Sequence, residues 1–287
     1  MVKERIAVKK AVLLDIDNTL TPPRQQLTRQ MAEILKRLRV PFHVAAGSHI
    51  TLLQEQFFEP LYRFGFRKGF DAFLSNGAIH YRCDYSEVAS IEVVSEFDIR
   101  DHLGESDYKR LTDVLTETLE REEFQVMPPT KIIGERITYR GSMINFCPIG
   151  RVSLETEEVQ RNRSNFVEFD RANNYRQRVI EHLNRELSSL VNDRRLTITL
   201  GGQTSFDIGI ADQDKTNAVR TLLSNGIERL VFIGDALFEG GNDAPIRKFV
   251  ENWRSTEPCP LEAFQVSSWR ETVEKFYELG FIDQRGE

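Results

Sequence analysis

The first patterned element of the chain is an apolar run, Lys10–Leu14, that stops at Asp15. A short unbroken apolar run of this kind reads as a strand buried on both faces, carrying Asp15 and Asp17 at its carboxyl end. Thr28 then stands as an N-cap before Met31, Ile34, Leu35 and Leu38, which are spaced to share one helical face. Phe42–Ala46 repeats the strand pattern and ends at Gly47-Ser48. A helix over Ile50–Phe58 and a third strand over Phe70–Leu74 follow, closed by the turn pair Asn76-Gly77. Strands alternating with helices predict a parallel α/β sheet.

The rhythm changes after Cys83. Val88–Glu96 and Arg136–Phe146 read as strands with mixed faces and Leu196–Ile210 as two more, with helices over Glu105–Glu122 and Asp170–Leu190. That mixture predicts an α+β unit, 85–210, inserted into an α/β core made of 1–84 and 211–287. The α/β rhythm returns with a helix over Lys215–Leu223, a strand over Leu230–Ile233 and a final helix over Arg270–Leu279.

Composition narrows the function. A chain of 287 residues, 40% hydrophobic and 29% charged, is that of a folded protein of one large or two compact domains. A net charge of -6 argues against broad nucleic-acid binding, which needs a basic surface. A small phosphorylated substrate stays compatible, because only its pocket must be positive. The apolar run at Ala11–Leu14 is too short for a signal-peptide core or a membrane span. Three cysteines without paired spacing supply neither a disulfide framework nor a thiolate zinc site, and the five histidines are scattered without metal-ligand spacing. A cytoplasmic enzyme with no membrane partner is the expectation.

Candidate chemistry gathers at strand ends. In an open parallel sheet, ligands bind outside the carboxyl ends of the strands. Asp15 and Asp17 can both reach such a site if the chain turns after Asp15. One carboxylate can attack phosphorus, and the other can exchange a proton with the leaving or entering oxygen. Gly234-Asp235-Ala236-Leu237-Phe238-Glu239-Gly240-Gly241-Asn242-Asp243 is a second acidic turn behind an apolar strand, suited to the hard oxygen coordination of Mg2+. Gly47-Ser48 can offer a hydroxyl and backbone N–H groups to phosphate. Lys215, in Asp214-Lys215-Thr216, can offset phosphoryl charge. Singly, each of these is ordinary loop or capping chemistry; their joint order along one chain is not.

That order resembles the haloacid dehalogenase (HAD) superfamily. Asp15-Ile16-Asp17-Asn18-Thr19-Leu20-Thr21-Pro22-Pro23-Arg24-Gln25, Met143-Ile144-Asn145-Phe146-Cys147-Pro148-Ile149-Gly150-Arg151 and Gly201-Gly202-Gln203-Thr204-Ser205-Phe206-Asp207 narrow the likeness to its eukaryotic-type phosphomannomutase family. The resemblance implies a HAD-like core with a parallel Rossmann-like sheet and an inserted α+β cap that sets substrate specificity. It implies Asp15 as phosphorylated nucleophile, Asp17 as general acid/base, and Lys215 beside them. Thr19, Gly47, Ser48 and Lys215 would hold the transferring phosphoryl group. Arg24, Arg140, Arg151, Ser205 and Asp207 would hold the sugar phosphate. Asp15, Asp17, Asp235, Asn242 and Asp243 would surround Mg2+. The implied activity interconverts mannose 6-phosphate and mannose 1-phosphate, with a hexose bisphosphate activator and a homodimeric assembly; a sugar-phosphate phosphatase on the same core is the alternative. The sequence departs from the family pattern at Asn18, where glycine is usual, at Ala236 and Glu239, where lysine and proline are usual, and in an added segment, Asn252–Phe264.

Overall fold

The computed structural model describes residues 9–152, 156–211 and 213–283. It divides into two compact units, Met1–Glu96 with Gln213–Glu287, and Phe97–Asp212.

The first unit begins with β1 (Lys10–Leu14), α1 (Arg29–Lys36), β2 (Phe42–Ala45), α2 (Ile50–Leu53), α3 (Glu59–Arg63), β3 (Gly69–Leu74), β4 (Ile79–Asp84) and β5 (Ser90–Glu96). Side chains of β1 alternate between two apolar layers. Val12 and Leu14 join a core with Met31, Leu35 and Phe57, while Ala11 and Leu13 join one with Phe73, Val219 and Phe232. A strand covered on both faces must be apolar throughout, which is why Lys10–Leu14 lacks polar alternation. Thr28 caps α1 as its position implies, its side chain accepting from the Met31 N–H.

The second unit contains α4 (Ile99–Leu103), α5 (Glu105–Glu120), β6 (Glu135–Tyr139), β7 (Met143–Arg151), α6 (Glu157–Asn173), α7 (Tyr175–Glu186), α8 (Ser188–Asn192), β8 (Leu196–Gly201) and β9 (Ser205–Ile210). Its four strands form an antiparallel sheet ordered β6-β7-β9-β8. Ile144, Phe146, Phe206 and Ile208 of that sheet pack with Phe166 of α6 and Val179 and Leu183 of α7 in a separate core.

The chain returns to the first unit with α9 (Thr216–Ser224), β10 (Arg229–Gly234), α10 (Ala244–Glu251), β11 (Leu261–Gln265) and α11 (Trp269–Glu278). The seven-stranded sheet is ordered β11-β10-β1-β2-β3-β4-β5. Its first five strands run parallel and its last two antiparallel. The chain leaves β1 for β2 on one side, and β10 returns on the other, so β1 sits where the winding reverses and a crevice opens beyond its end.

Four expectations change. Ser90–Glu96 is a strand of the first unit's sheet, paired with β4, so the insert begins near Phe97 rather than at residue 85. β4 went unread because Ile79–Asp84 mixes buried and exposed positions without a clean period of two. Arg136–Phe146 is a hairpin of two strands, turned at Gly141 with φ 72°. The added segment Asn252–Phe264 delivers β11, which extends the parallel sheet beside β10. The single helix expected over Ile50–Phe58 is α2 followed by a π-helical turn, Gln54–Phe58. No helix among the described residues is long and apolar enough to cross a membrane.

Candidate active site

The ends of β1 and β10 bring together residues far apart in sequence. Asp15 follows the last residue of β1 and its N–H donates to the Ile233 carbonyl of β10. Lys215, one residue ahead of α9, is fully buried and donates from Nζ to Asp15 Oδ1 and to Asp243 Oδ1, each at 2.5 Å. Asp243 is itself fully buried, and its Oδ2 accepts the Ala236 N–H at 3.2 Å. Gly234 is required beneath it, since a side chain there would collide with the Asp243 carboxylate. Asp235 completes the group: ligand oxygens of Asp15, Asp235 and Asp243 all lie within 4.8 Å of one another.

Three carboxylates against one ammonium leave this buried cluster with two uncompensated negative charges when all are ionised. Burial, then the nearby carboxylates, push the Asp15 carboxyl up to about 7 against the pull of Lys215. Burial would lower the Lys215 ammonium, but Asp15 and Asp243 hold it above its ordinary value. A hard divalent cation fits this donor set: it would meet oxygen ligands only, and it would cancel the excess charge that makes ionised Asp15 costly.

Asn18 adopts φ 58°, a left-handed conformation open to glycine and tolerated by asparagine. Its amide donates to Asp235 Oδ2 at 2.8 Å. The departure from the family's glycine therefore keeps the backbone turn and adds a hydrogen bond. Asp17 is held through one oxygen: Oδ1 accepts the Arg24 backbone N–H at 2.8 Å and Gln56 Nε2 at 2.6 Å. Arg24 enters here through its backbone, at φ 54°, with its side chain exposed.

Gly47 and Ser48 lie in the loop after β2, adjacent to β1. The N-cap of α2 is His49, one residue beyond the serine. A Cβ at Gly47 would lie 3.0 Å from Asn76 Oδ1 and 3.6 Å from Asn242 Nδ2, so Asn242 approaches the Gly47 loop. Thr19 is fully buried and its hydroxyl has no hydrogen-bond partner, as is also true of Asn76 Oδ1. Unpaired buried polar atoms are rare, and of these two only the Thr19 hydroxyl can donate to an anion; Asn76 Oδ1 can only accept.

In the second unit, Arg140, Arg151, Ser205 and Asp207 surround a residue that the sequence reading passed over, Asn145. Asn145 pairs with Asp207 across β7 and β9. Its amide donates to Asp207 Oδ1 at 2.8 Å and Ser205 Oγ at 3.1 Å, and its Oδ1 accepts from Arg151 at 3.4 Å. Partial burial and then Arg151 lower the Arg140 guanidinium, while Asp207 opposes the shift. Gly201 must lack a side chain, because a Cβ would stand 2.7 Å from Asp207 Oδ1. A small cavity lined by Arg151, Asn162, Arg163 and Thr204 opens beside the cluster.

The sequence profile of the eukaryotic phosphomannomutases matches residues 30–255. The chain belongs to the eukaryotic phosphomannomutase family. Within it, the chain is similar to the phosphomannomutase of Schizosaccharomyces pombe, 32% identical over 248 residues, which cover 85% of this chain and 88% of that one. Among solved structures, it shares its fold with a phosphatase of the haloalkanoate (HAD) superfamily from Bacteroides thetaiotaomicron, at TM-score 0.54 and 15% identity over 98% of this chain and 99% of that one. It also shares it with an IMP-nucleotidase mutant of Plasmodium falciparum, at TM-score 0.54 and 16% identity over 93% of this chain; there the match spans 65% of the longer nucleotidase chain. The family's architecture, a HAD core with an inserted α+β cap, is the one described above.

Proposed function

We propose that this phosphomannomutase-family protein interconverts mannose 6-phosphate and mannose 1-phosphate through a phosphoryl group carried transiently on Asp15. The observation that supports this most directly is the pair of distinct sites: a buried acidic cluster at Asp15 in one unit and an arginine cluster at Arg140 and Arg151 in the other. A hydrolase needs only the first. A mutase also needs a second phosphate-recognition element, because its intermediate carries two phosphates.

Asp15 Oδ1 is tied to Lys215, which leaves Oδ2 for attack on phosphorus. As the P–O bond to the sugar breaks, the Asp17 carboxyl gives its proton to the leaving oxygen; in the return half-reaction it takes a proton from the sugar hydroxyl that attacks phospho-Asp15. Thr19, Gly47, Ser48 and Lys215 hold the transferring group. Arg24, Arg140, Arg151, Ser205 and Asp207 hold the sugar phosphate, the arginines through planar forks matched to phosphate oxygens. Asp15, Asp235 and Asp243, with the Asp17 carbonyl and Asn242, would hold Mg2+. Bound there, the cation would neutralise charge on the carboxylates and on the phosphoryl oxygens. A hexose bisphosphate primes the cycle by phosphorylating Asp15, and the enzyme works as a cytoplasmic homodimer. The three cysteines, all free, suit a reducing compartment.

Phosphorus NMR of the protein with Mg2+, mannose 1-phosphate and a trace of hexose bisphosphate tests this reading. Mannose 6-phosphate is the expected product. Inorganic phosphate as the main product would replace the mutase by a sugar-phosphate phosphatase.

A further inference from the structure

Gln56 lies on the π-helical turn Gln54–Phe58, buried at 2% exposure, yet it reaches the acid/base loop at three points. Its Nε2 donates one hydrogen to Asp17 Oδ1 at 2.6 Å and the other to Thr21 Oγ1 at 3.0 Å. Its backbone carbonyl accepts the Leu27 N–H at 2.7 Å. Pro60 explains why that carbonyl is free: four residues on, where an α-helix would donate an N–H to Gln56, proline has none. Both amide hydrogens are thus committed to acceptors, which fixes the amide orientation; the flipped amide would set Oε1 against the Asp17 carboxylate. Gln56 Oε1 is left buried without a partner. An unpaired buried oxygen costs stability, and π-helical turns are frequent at functional sites.

We infer that Gln56 is a positioning residue for proton transfer: it fixes Asp17 through Oδ1, so that Oδ2 alone faces the reacting sugar oxygen. The inference rests on the proposed role of Asp17. With the Arg24 N–H on the same oxygen, Asp17 Oδ1 is doubly engaged, and among the described residues no hydrogen bond reaches Oδ2. In the forward step the Asp15–phosphorus bond forms and the phosphorus–sugar oxygen bond breaks. The electron pair left on that oxygen takes the proton from Asp17 Oδ2. Gln56 touches neither substrate nor reacting atom; it acts through the carboxyl it holds.

The test uses two phosphoryl donors that differ in their need for that proton. A hexose bisphosphate releases a sugar oxygen that must be protonated. 4-Nitrophenyl phosphate releases a phenolate that leaves unaided, and its pre-steady-state burst reports phosphorylation of Asp15 alone. Gln56→Met removes both donors at similar length, and Gln56→Asn keeps an amide while shortening its reach; circular dichroism checks the fold of each. The expected result is that phosphorylation from the hexose bisphosphate slows by roughly 10²-fold, at least ~10-fold more than the nitrophenolate burst. If Gln56→Met fails to fold, Gln56→Asn, which keeps an amide but draws it back from Asp17, carries the comparison. Equal losses on both donors would overturn the inference and leave Gln56 a packing residue. Absence of a burst and of a phosphorylated Asp15 in the unmodified protein would instead overturn the underlying mechanism.

Discussion

Lys215→Met removes the charge at the centre of the acidic cluster while nearly preserving volume. Lys215 Nζ sits 2.5 Å from both Asp15 and Asp243, and all three side chains are at most 6% exposed. Breaking a buried ion pair by deleting one partner costs about 3–5 kcal/mol, because a partner left charged has lost its compensation. The pH dependence separates this electrostatic cost from simple loss of packing. A carboxyl whose folded pKa lies above its unfolded value contributes stability that is complete below the unfolded value, here 3.8, and lost as pH rises through the folded value. In the unmodified protein that loss is over once pH passes about 7. Without Lys215, the leading influence that lowers it, Asp15 ionises at still higher pH. The variant therefore goes on losing stability above pH 7 at about 1.4 kcal/mol per pH unit, while the unmodified protein does not. Urea unfolding with EDTA present, at half-unit steps from pH 5.5 to 8.5, measures both curves. The deficit should be constant between pH 5.5 and 6 and widen above 7. Parallel curves across the whole range would refute the charge argument and reduce Lys215 to a packing residue.

Asp15→Asn should fold and abolish phosphoryl transfer, read as absence of radiolabel on the protein from a labelled hexose bisphosphate; retained turnover would reject the covalent mechanism. Arg151→Ala should lower mutase turnover by roughly 10²-fold, and by much less the hydrolysis of a small phosphate ester, because only the mutase needs the arginine cluster; equal effects in a two-substrate assay would remove Arg151 from sugar-phosphate recognition. Asp71 accepts from His80 at 2.8 Å and contacts His43 at 3.1 Å across three adjacent strands. Burial would raise its carboxyl, but the two imidazoles hold it below the usual carboxylate range. A depressed folded pKa gives stability that is present above pH 3.8 and lost only as pH falls through the lower folded value. Asp71→Asn should cost about 2 kcal/mol by thermal denaturation at pH 7, because the two imidazoles lose their carboxylate acceptor; an unchanged midpoint would remove this cluster from the stability of the sheet.

The core sheet was legible where both faces of a strand are buried, because such strands read as mainly apolar runs: Lys10–Leu14, Phe42–Ala45 with only His43 polar, and Arg229–Gly234 stand where that pattern puts them. It was illegible at the edges. Ser90–Glu96 is almost wholly exposed, so no buried face imposes a period, and only its backbone pairing with β4 assigns it to the first unit. β11 was hidden for a related reason: only Leu261 of its five residues is fully buried, so Leu261–Gln265 reads as loop. Helix α6, Glu157–Asn173, buries only Asn162 and Phe166 along its length and so carries no apolar stripe.

The same contrast holds at the site. Residues that project from strand ends were legible, because position along the chain fixes them: Asp15 follows β1, Asp235 follows β10, and both face the crevice where the winding reverses. Residues that act by holding other residues were not. Asn145 sits mid-strand and organises Ser205, Asp207 and Arg151 through contacts 6 to 62 residues away in sequence. Gln56 sits 39 residues from Asp17. Its one local signal is Pro60, a residue that breaks the helical hydrogen-bond pattern just where the carbonyl is needed elsewhere. Pro60, four residues after Gln56 and close behind the Gly47-Ser48 loop, marks a carbonyl released from its helix; what that carbonyl and side chain then grasp is decided by tertiary packing.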